Sequence, residues 1–434
     1  GHLSGGETSQ ADAEQAFIQP LLDESVHMCI FVPPEMQTIE MTENCKNVFN
    51  PVFRLRRPLY GWSRSGNIWE THLANTLQNI KHDGKNGNDK WKPVEHWPQT
   101  FWKIGSKGKP IVLTVYVDDF ILAGPGSNDE WDSIRDTTDG IRTTVPSHVG
   151  RVLGVHHTFT PDGTKIETKI DMVDYVHQSV DMYNDHPGSG KWPLKEKCYY
   201  PWYEPTQSEI DELSILPGVF GSSAASLLMK ALYCARMVRL DICYTINTLS
   251  KYVTKWNALC DKQLRHLYSY LKSTADIKLH GTVDSLDIDN VVLHAYPDAD
   301  LCGTFDTTRA TSGGFVELIG AGTFFPLDWF SKRQSATSHS TTEAELVAAS
   351  KMLRESLIPI QSLWSLLLQR KVVSVVHEDN MSTITVINAG YSPQLRHIQK
   401  HHRISLGEVQ RIETDKQKGD LMTKGLARPK HEPA

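Results

Sequence analysis

Residues 111–122 read IVLTVYVDDFIL. Two apolar, β-prone runs, Ile111 to Tyr116 and Phe120 to Leu122, flank the adjacent acids Asp118 and Asp119. That pattern predicts a hairpin with both carboxylates at its tip. Ionised carboxylates crowded there repel one another unless a cation neutralises them, which points to Mg²⁺. A bare Asp-Asp pair also reads as an ordinary acidic turn; the full string Tyr116-Val117-Asp118-Asp119 is the more specific signal.

Further along, the C-terminal part has its own pattern. Val291 to Tyr296, Phe315 to Ile319 and Thr323 to Phe330 predict three strands, and Leu353, Leu357, Ile360, Trp364 and Leu367 recur at helical spacing with Pro359 as a kink. Val372 to Val376 predicts a buried strand that delivers His377, Glu378 and Asp379 at its end. The expected order is three strands, helix, strand, helix. This arrangement would gather Asp298, Glu345 and Asp379, with Asp420 near the C-terminus; Asp300 and Glu343 are neighbouring alternatives. Four carboxylates around one metal pair stabilise a fold poorly but suit phosphodiester cleavage. His397, His401 and His402 offer a further conceivable metal patch.

The 434 residues exceed the size of one core, since single cores seldom grow past roughly 250 to 300 residues. Residues 80–110, rich in Lys, Gly, Asn, Pro and Trp, read as a long excursion. Residues 184–218, with five prolines, read as a linker, and a polar break falls at Asp284 to Asn290. Composition is that of a soluble globular protein, 39% hydrophobic and 22% charged, with no membrane span and no leader, so an intracellular protein is expected. Seven cysteines, widely spaced and without a CxxC pair, read as reduced core residues. The net charge of −6 runs against tight phosphate binding, although Arg54, Arg56 and Arg57 and again Lys332 and Arg333 form short basic runs.

Several strings, in order, resemble the Pol polyprotein of copia-type LTR retrotransposons in its reverse transcriptase and RNase H region, over about residues 11–428. YVDD is similar to the polymerase box, Asp12 to Phe17 (DAEQAF) to the first catalytic box, and Leu59-Tyr60-Gly61 through Trp69 to a helical segment beside the incoming nucleotide. Arg151 to Gly154 resembles the primer-grip turn, and Ala231-Leu232-Tyr233 with Arg239 to Ile242 a connector string. In the last part, Tyr296 to Asp300 (YPDAD), Thr311 to Gly314, Ser340 to Leu346 (STTEAEL), Glu378-Asp379-Asn380 and Gly419-Asp420 with Thr423-Lys424 resemble the RNase H strings. Arg64 replaces a Gln of the family's nucleotide pocket, Leu240 replaces a Pro, and Gln399 an Asp.

The resemblance implies an α+β multidomain fold: a truncated reverse transcriptase palm (1–145, fingers largely missing), a thumb-like segment and linker (146–215), a helical connection (216–285) and an RNase H-like α/β domain (286–428). It implies Asp12, Asp118 and Asp119 as polymerase metal ligands, with Phe17 as steric gate and Tyr116 and Arg64 at the nucleotide. Asp298, Glu345, Asp379 and Asp420 become the nuclease ligands, with two Mg²⁺ ions per active site. Implied partners are an RNA template, a DNA primer, an RNA:DNA hybrid, dNTPs and other Pol or Gag products, with no membrane, in a cytoplasmic virus-like particle or the nucleus. With the first box so near residue 1, polymerase activity is expected to be impaired. The alternative is a decayed or host-adopted nucleic-acid-binding remnant, favoured by the acidic charge, Arg64 and Gln399. No Gly-rich phosphate loop, serine triad, aspartic-protease DTG or zinc-binding HHCC set is present.

Overall fold

The computed structural model describes residues 1–80, 90–135, 140–301, 309–335 and 337–389, and the backbone of 408–410. Helix and sheet are mixed throughout, in two compact units, Gly1–Val149 and Gly150–Ala434.

In the first unit the strands are β1 (Glu7–Asp12), β2 (Cys29–Phe31), β3 (Val52–Arg54), β4 (Lys92–Pro93), β5 (Thr100–Ile104), β6 (Pro110–Tyr116), β7 (Asp119–Gly124) and β8 (Ser147–His148). Six of them form one sheet in the order β4-β5-β6-β7-β1-β8, while β2 and β3 make a separate ribbon. Alternation builds the sheet: Ile111, Leu113, Val115, Phe120 and Leu122 all point to one buried face. Helix α2 (Ser65–Asn79) lays Trp69, Leu73 and Leu77, four residues apart, into the same core. Burying each such side chain stabilises the unit by roughly 1.5 to 3 kcal/mol. Helices α1 (Ile39–Asn44) and α3 (Trp131–Ile134) complete it. The stretch read as an excursion is partly sheet, because β4 and β5 lie within it and Trp91 is buried against the Lys103 ammonium. Lys103 is itself buried and paired with Glu130.

The second unit has strands β9 (Arg151–Val152), β10 (Val155–Asp162), β11 (Lys165–Asp171), β12 (Leu279–Asp284), β13 (Val292–Asp300), β14 (Thr311–Ile319), β15 (Phe324–Arg333), β16 (Ser374–His377) and β17 (Glu408–Gln410). They form one nine-stranded sheet, β17-β16-β13-β14-β15-β12-β11-β10-β9, with parallel pairing only at β13–β16 and β16–β17. The end of the stretch read as a helical connector is thus strand β12, which pairs with β11 over Leu279–Asp284 and touches β15 at Thr282↔Phe324. Its alternation was hidden by Lys278, His280 and Gly281.

Helices α4 (Val173–Asn184), α5 (Gln207–Leu213), α6 (Ala224–Met237), α7 (Cys243–Ser250) and α8 (Ala258–Ser273) precede β12, and α4, α6, α7 and α8 share one core around Tyr183, Phe220, Leu227 and Tyr268. The proline-rich stretch read as a linker is fastened along α8. Ser269 Oγ and Ser273 Oγ accept the amides of Lys195 and Cys198, and His266 Nε2 meets the Tyr200 carbonyl at 2.9 Å.

After β15, helices α9 (Thr341–Met352) and α10 (Ile358–Leu368) run on through a π-helical turn at Leu353–Leu357, and α11 (Met381–Ala389) follows β16. Pro359 explains the π-turn: it has no amide to give, so the turn ahead of it widens while the helix continues. Strand β13 begins and ends later than the spacing of Val291 to Tyr296 predicts, and so includes Asp298 and Asp300. Cys198, Cys234, Cys243 and Cys260 are buried free thiols, but Cys29 is exposed and Cys45 half-exposed, so those two are not core; Cys302 lies outside the described residues.

Candidate functional site

Among the described residues, the acids singled out in the sequence lie together in two places, Asp12 with Asp118 and Asp119 in the first unit and Asp298 with Glu345 and Asp379 in the second. In the first, register sets the geometry: Asp12 at the end of β1 is the ladder partner of Asp119 at the start of β7, and Tyr116 pairs with Asp119 across the hairpin. Val117 and Asp118 form the tip. Val117 has φ of 57°, a left-handed conformation in which a β-branched residue is strained. Two hydrogen bonds to its carbonyls, one from the backbone and one from a side chain, link the tip to the residue after β1 and to α2. Ala13 N–H donates to the Asp118 carbonyl at 2.6 Å, and the Trp69 indole donates to the Val117 carbonyl at 2.6 Å. Asp12 is steadied by Thr144, whose hydroxyl accepts the Asp12 amide and whose amide donates to the Asp12 carbonyl.

Partial burial raises the Asp119 carboxyl above its usual range, and the nearby charges of Asp118 and Asp12, with a shared hydrogen bond to Asp12, add to this. Asp12 and Asp118 are exposed. Phe17 is half-buried, with its ring 5.0 Å from Tyr60; Tyr116 is exposed; Arg64 is the exposed N-cap residue of α2 and makes no side-chain cap. The basic run before it is bonded to the chain. Arg54 and Arg57 donate to the carbonyls of Val26 and Ile18, among others.

The second cluster is tighter. Asp298 on β13 is 3% exposed, Glu345 on α9 is 4% exposed and Asp379 follows β16. One ligand atom from each lies within 4.8 Å of the others, and among the described residues no other group of three or more acids, histidines or cysteines converges so closely. The parallel register explains how: Leu293↔Ser374 to Ala295↔Val376, continued by three residues, brings Asp298 level with Asp379. Glu345 is supplied by α9, whose Ala344 and Ala348 pack against Ala299 of the neighbouring strand. Three carboxylates with oxygen ligand atoms at this spacing fit a hard divalent cation such as Mg²⁺ and lack the sulfur or imidazole donors that zinc sites use.

The neighbouring acids differ. Glu343 is a helix-start residue: Ser340 Oγ accepts its amide at 3.1 Å, and its own carboxylate accepts the His339 amide at 3.0 Å. Asp300 sits two residues beyond Asp298, opposite Thr311. Asp420, His397, His401, His402 and Gln399 lie outside the described residues.

Sequence spacing names Tyr296, His377 and Glu378 but gives them no role at the site. Glu378 is fully buried; its Oε1 accepts the Asn380 amide at 3.1 Å and its Oε2 has no hydrogen-bond partner. Burial pushes its carboxyl up to about 8, with Asp379 and Asp298 adding to the effect. His377 and Tyr296 stack face to face. Their alternation with the acids along β13 and β16 was the available signal.

A Cys–His pair, Cys198 Sγ to His266 Nε2 at 3.4 Å, is not a nucleophile. Burial raises the thiol and lowers His266 to about 4, so both are neutral. Among the described residues no helix is long and apolar enough to cross a membrane.

No protein-family model matches the chain. It is 24% identical, over 98% of its own length, to the retrovirus-related Pol polyprotein from transposon TNT 1-94 of Nicotiana tabacum. It is 26% identical, over 96% of its length, to the Pol polyprotein from transposon RE1 of Arabidopsis thaliana. It spans 30% and 26% of those relatives. Among solved structures, a foamy viral protease-reverse transcriptase in complex with RNA/DNA hybrid is 12% identical with a TM-score of 0.46, covering 95% of this chain and 45% of that one. Over nearly its whole length the chain is thus similar in sequence to copia-type Pol polyproteins of transposons.

Proposed function

We propose that the chain is a reverse transcriptase and RNase H fragment whose second unit cleaves the RNA strand of an RNA:DNA hybrid. The observation that carries this reading is the convergence of Asp298, Glu345 and Asp379 within 4.8 Å. Three buried or half-buried carboxylates so close together repel one another strongly, and divalent cations offset that repulsion.

Asp298, Glu345 and Asp379, with Asp420 as a fourth ligand, would hold two Mg²⁺ ions, which when bound activate a water and stabilise the leaving oxygen of a phosphodiester. The chain's own part is to fix the ligands. β13 and β16 present two carboxylates side by side, and the α9 helix, capped at Ser340, presents the third.

In the first unit, Asp12, Asp118 and Asp119 would hold the Mg²⁺ ions for dNTP addition to a primer, with Phe17 against the sugar and Tyr116 and Arg64 at the nucleotide. The antiparallel pairing of Asp12 with Asp119 supports that reading. The proposed domains are a palm at 1–145, a thumb-like segment at 146–215, a connection at 216–285 and an RNase H-like domain at 286–428. Partners would be an RNA template, DNA primer and other Pol or Gag products, in the cytoplasm or nucleus.

The test is cleavage of a labelled RNA annealed to DNA, with Mg²⁺, beside Asp298→Asn. Cleavage that disappears in the variant is the expected result. A folded chain that binds the hybrid without cutting it would instead mark a non-catalytic remnant.

A further inference from the structure

The parallel ladder between β13 and β16 stops at Ala295↔Val376, yet Asp298 and Asp379 must face each other three residues farther on. Between the last ladder pair and the acids lies His377, 5% exposed. Its ring stacks on Tyr296 of β13 with centroids 4.6 Å apart and planes 9° apart. His294 Nδ1 and His377 Nε2 are 2.7 Å apart, one imidazole donating to the other. Tyr296 is anchored in turn, its hydroxyl donating to Glu317 Oε1 at 2.9 Å on β14. His294, Tyr296 and Asp298 alternate along β13, which puts their side chains on one face of the sheet, and Asp379 follows two residues after His377, just past the end of β16.

We propose that His377 is a positioning residue for the Asp298, Glu345 and Asp379 site: its contacts with Tyr296 and His294 hold the end of β16 against β13 where backbone bonding has ended, and so set Asp379 beside Asp298. The inference rests on the reading of that trio as a divalent-cation site. An apolar ring at 377 could stack but could not bond to His294, and a small side chain could do neither.

Outer-shell partners of metal ligands change affinity by roughly 10- to 100-fold when removed. The experiment is Mn²⁺ binding to the full chain without nucleic acid, followed by electron paramagnetic resonance, with Asp12→Asn and Asp118→Asn present throughout to remove the cation site proposed in the first unit; in that background the parent is compared with Asp298→Asn, His377→Phe, His377→Ala and His294→Phe. Hydrogen exchange over residues 374–380 is measured in parallel.

Asp298→Asn should abolish the site. His377→Ala should weaken Mn²⁺ about 10-fold or more and speed exchange at residues 378 and 379, with His377→Phe and His294→Phe in between. Unchanged affinity in Asp298→Asn would refute the cation-site reading itself. Loss in Asp298→Asn with parental affinity in His377→Phe and His294→Phe would overturn the positioning role alone. His294→Phe leaves β16 untouched, so it decides the matter even if His377→Ala does not fold.

Discussion

The indole N–H of Trp69, buried in the core of the first unit, donates to the carbonyl of Val117 at 2.6 Å. The bond reaches from the middle of α2 to the hairpin tip, where Val117 holds a left-handed φ and its neighbours are Asp118 and Asp119. A strained turn persists only when its surroundings over-determine it. Here the surroundings include this indole and the Ala13 amide on the Asp118 carbonyl.

Trp69→Phe keeps the ring and removes the donor. It should cost about 0.5 to 1.5 kcal/mol for the lost hydrogen bond, and amide exchange at residues 117–119 should rise. Val117→Gly should offset much of that in the double variant, because glycine adopts positive φ without strain. Equal exchange in wild type and Trp69→Phe would show that the indole does not hold the turn.

The second unit contains a buried cation that could pass for a binding residue. Arg239 is 1% exposed and is fully engaged: it forms a bidentate pair with Asp241, donates to the Thr274 carbonyl and hydroxyl, and Asp241 also accepts the Tyr270 hydroxyl. Removing one partner strands the other charge in the core. Asp241→Asn should therefore destabilise by about 3 to 5 kcal/mol, and Arg239→Met combined with Asp241→Leu by less than the sum of the two single changes. Denaturant unfolding of the four proteins closes the cycle; additive losses would mean that the two side chains act independently.

His266 gives a pH signature. Burial lowers it to about 4 from the ordinary 6.5, with the Lys195 and Arg265 charges adding to the effect. Its folded-state value is depressed, so the unfolded chain takes up the proton first. Its contribution is fully present above pH 6.5 and is lost as pH falls toward 4, by up to about 1.4 kcal/mol per unit. His266→Gln should flatten that slope in urea midpoints taken from pH 7 to pH 4. A slope unchanged in the variant would assign the acid sensitivity to other groups.

What was legible depended on the kind of signal. The hairpin at Asp118 and the strands around Asp298 were readable because apolar alternation and β-branched runs report burial directly. Strand β12 was not, because Gly281 and its polar neighbours gain their place from pairing with β11, and Phe325 lies against Gly281 where a Cβ would clash. Lys103 and Trp91 were missed for the same reason: a buried ammonium reads as surface until Glu130 is seen beside it. The acids are singled out by their place at the ends of predicted elements and by the ordered strings that resemble the family's, but spacing does not separate Glu343 from Glu345, two residues apart on one helix. The cap bonds of Glu343 and the convergence of Glu345 with Asp298 and Asp379 do so.

That pair supports the most discriminating prediction. Glu343 bonds to the His339 amide and carries the first turn of α9, while Glu345 points a buried carboxylate toward Asp298 and Asp379. Glu343→Gln should thus lower stability by about 1 kcal/mol, the usual scale of a helix-start bond, and leave hybrid cleavage near wild type. Glu345→Gln should do the reverse. It removes a charge from a crowded anionic cluster, so stability without metal should hold or rise. Cleavage should fall by at least about 100-fold, because the ligand set is broken. Thermal melts with EDTA, run beside cleavage assays with Mg²⁺, separate the two. If Glu343→Gln abolished cleavage while Glu345→Gln retained it, the assignment of the helix carboxylate would have to move one half-turn back along α9.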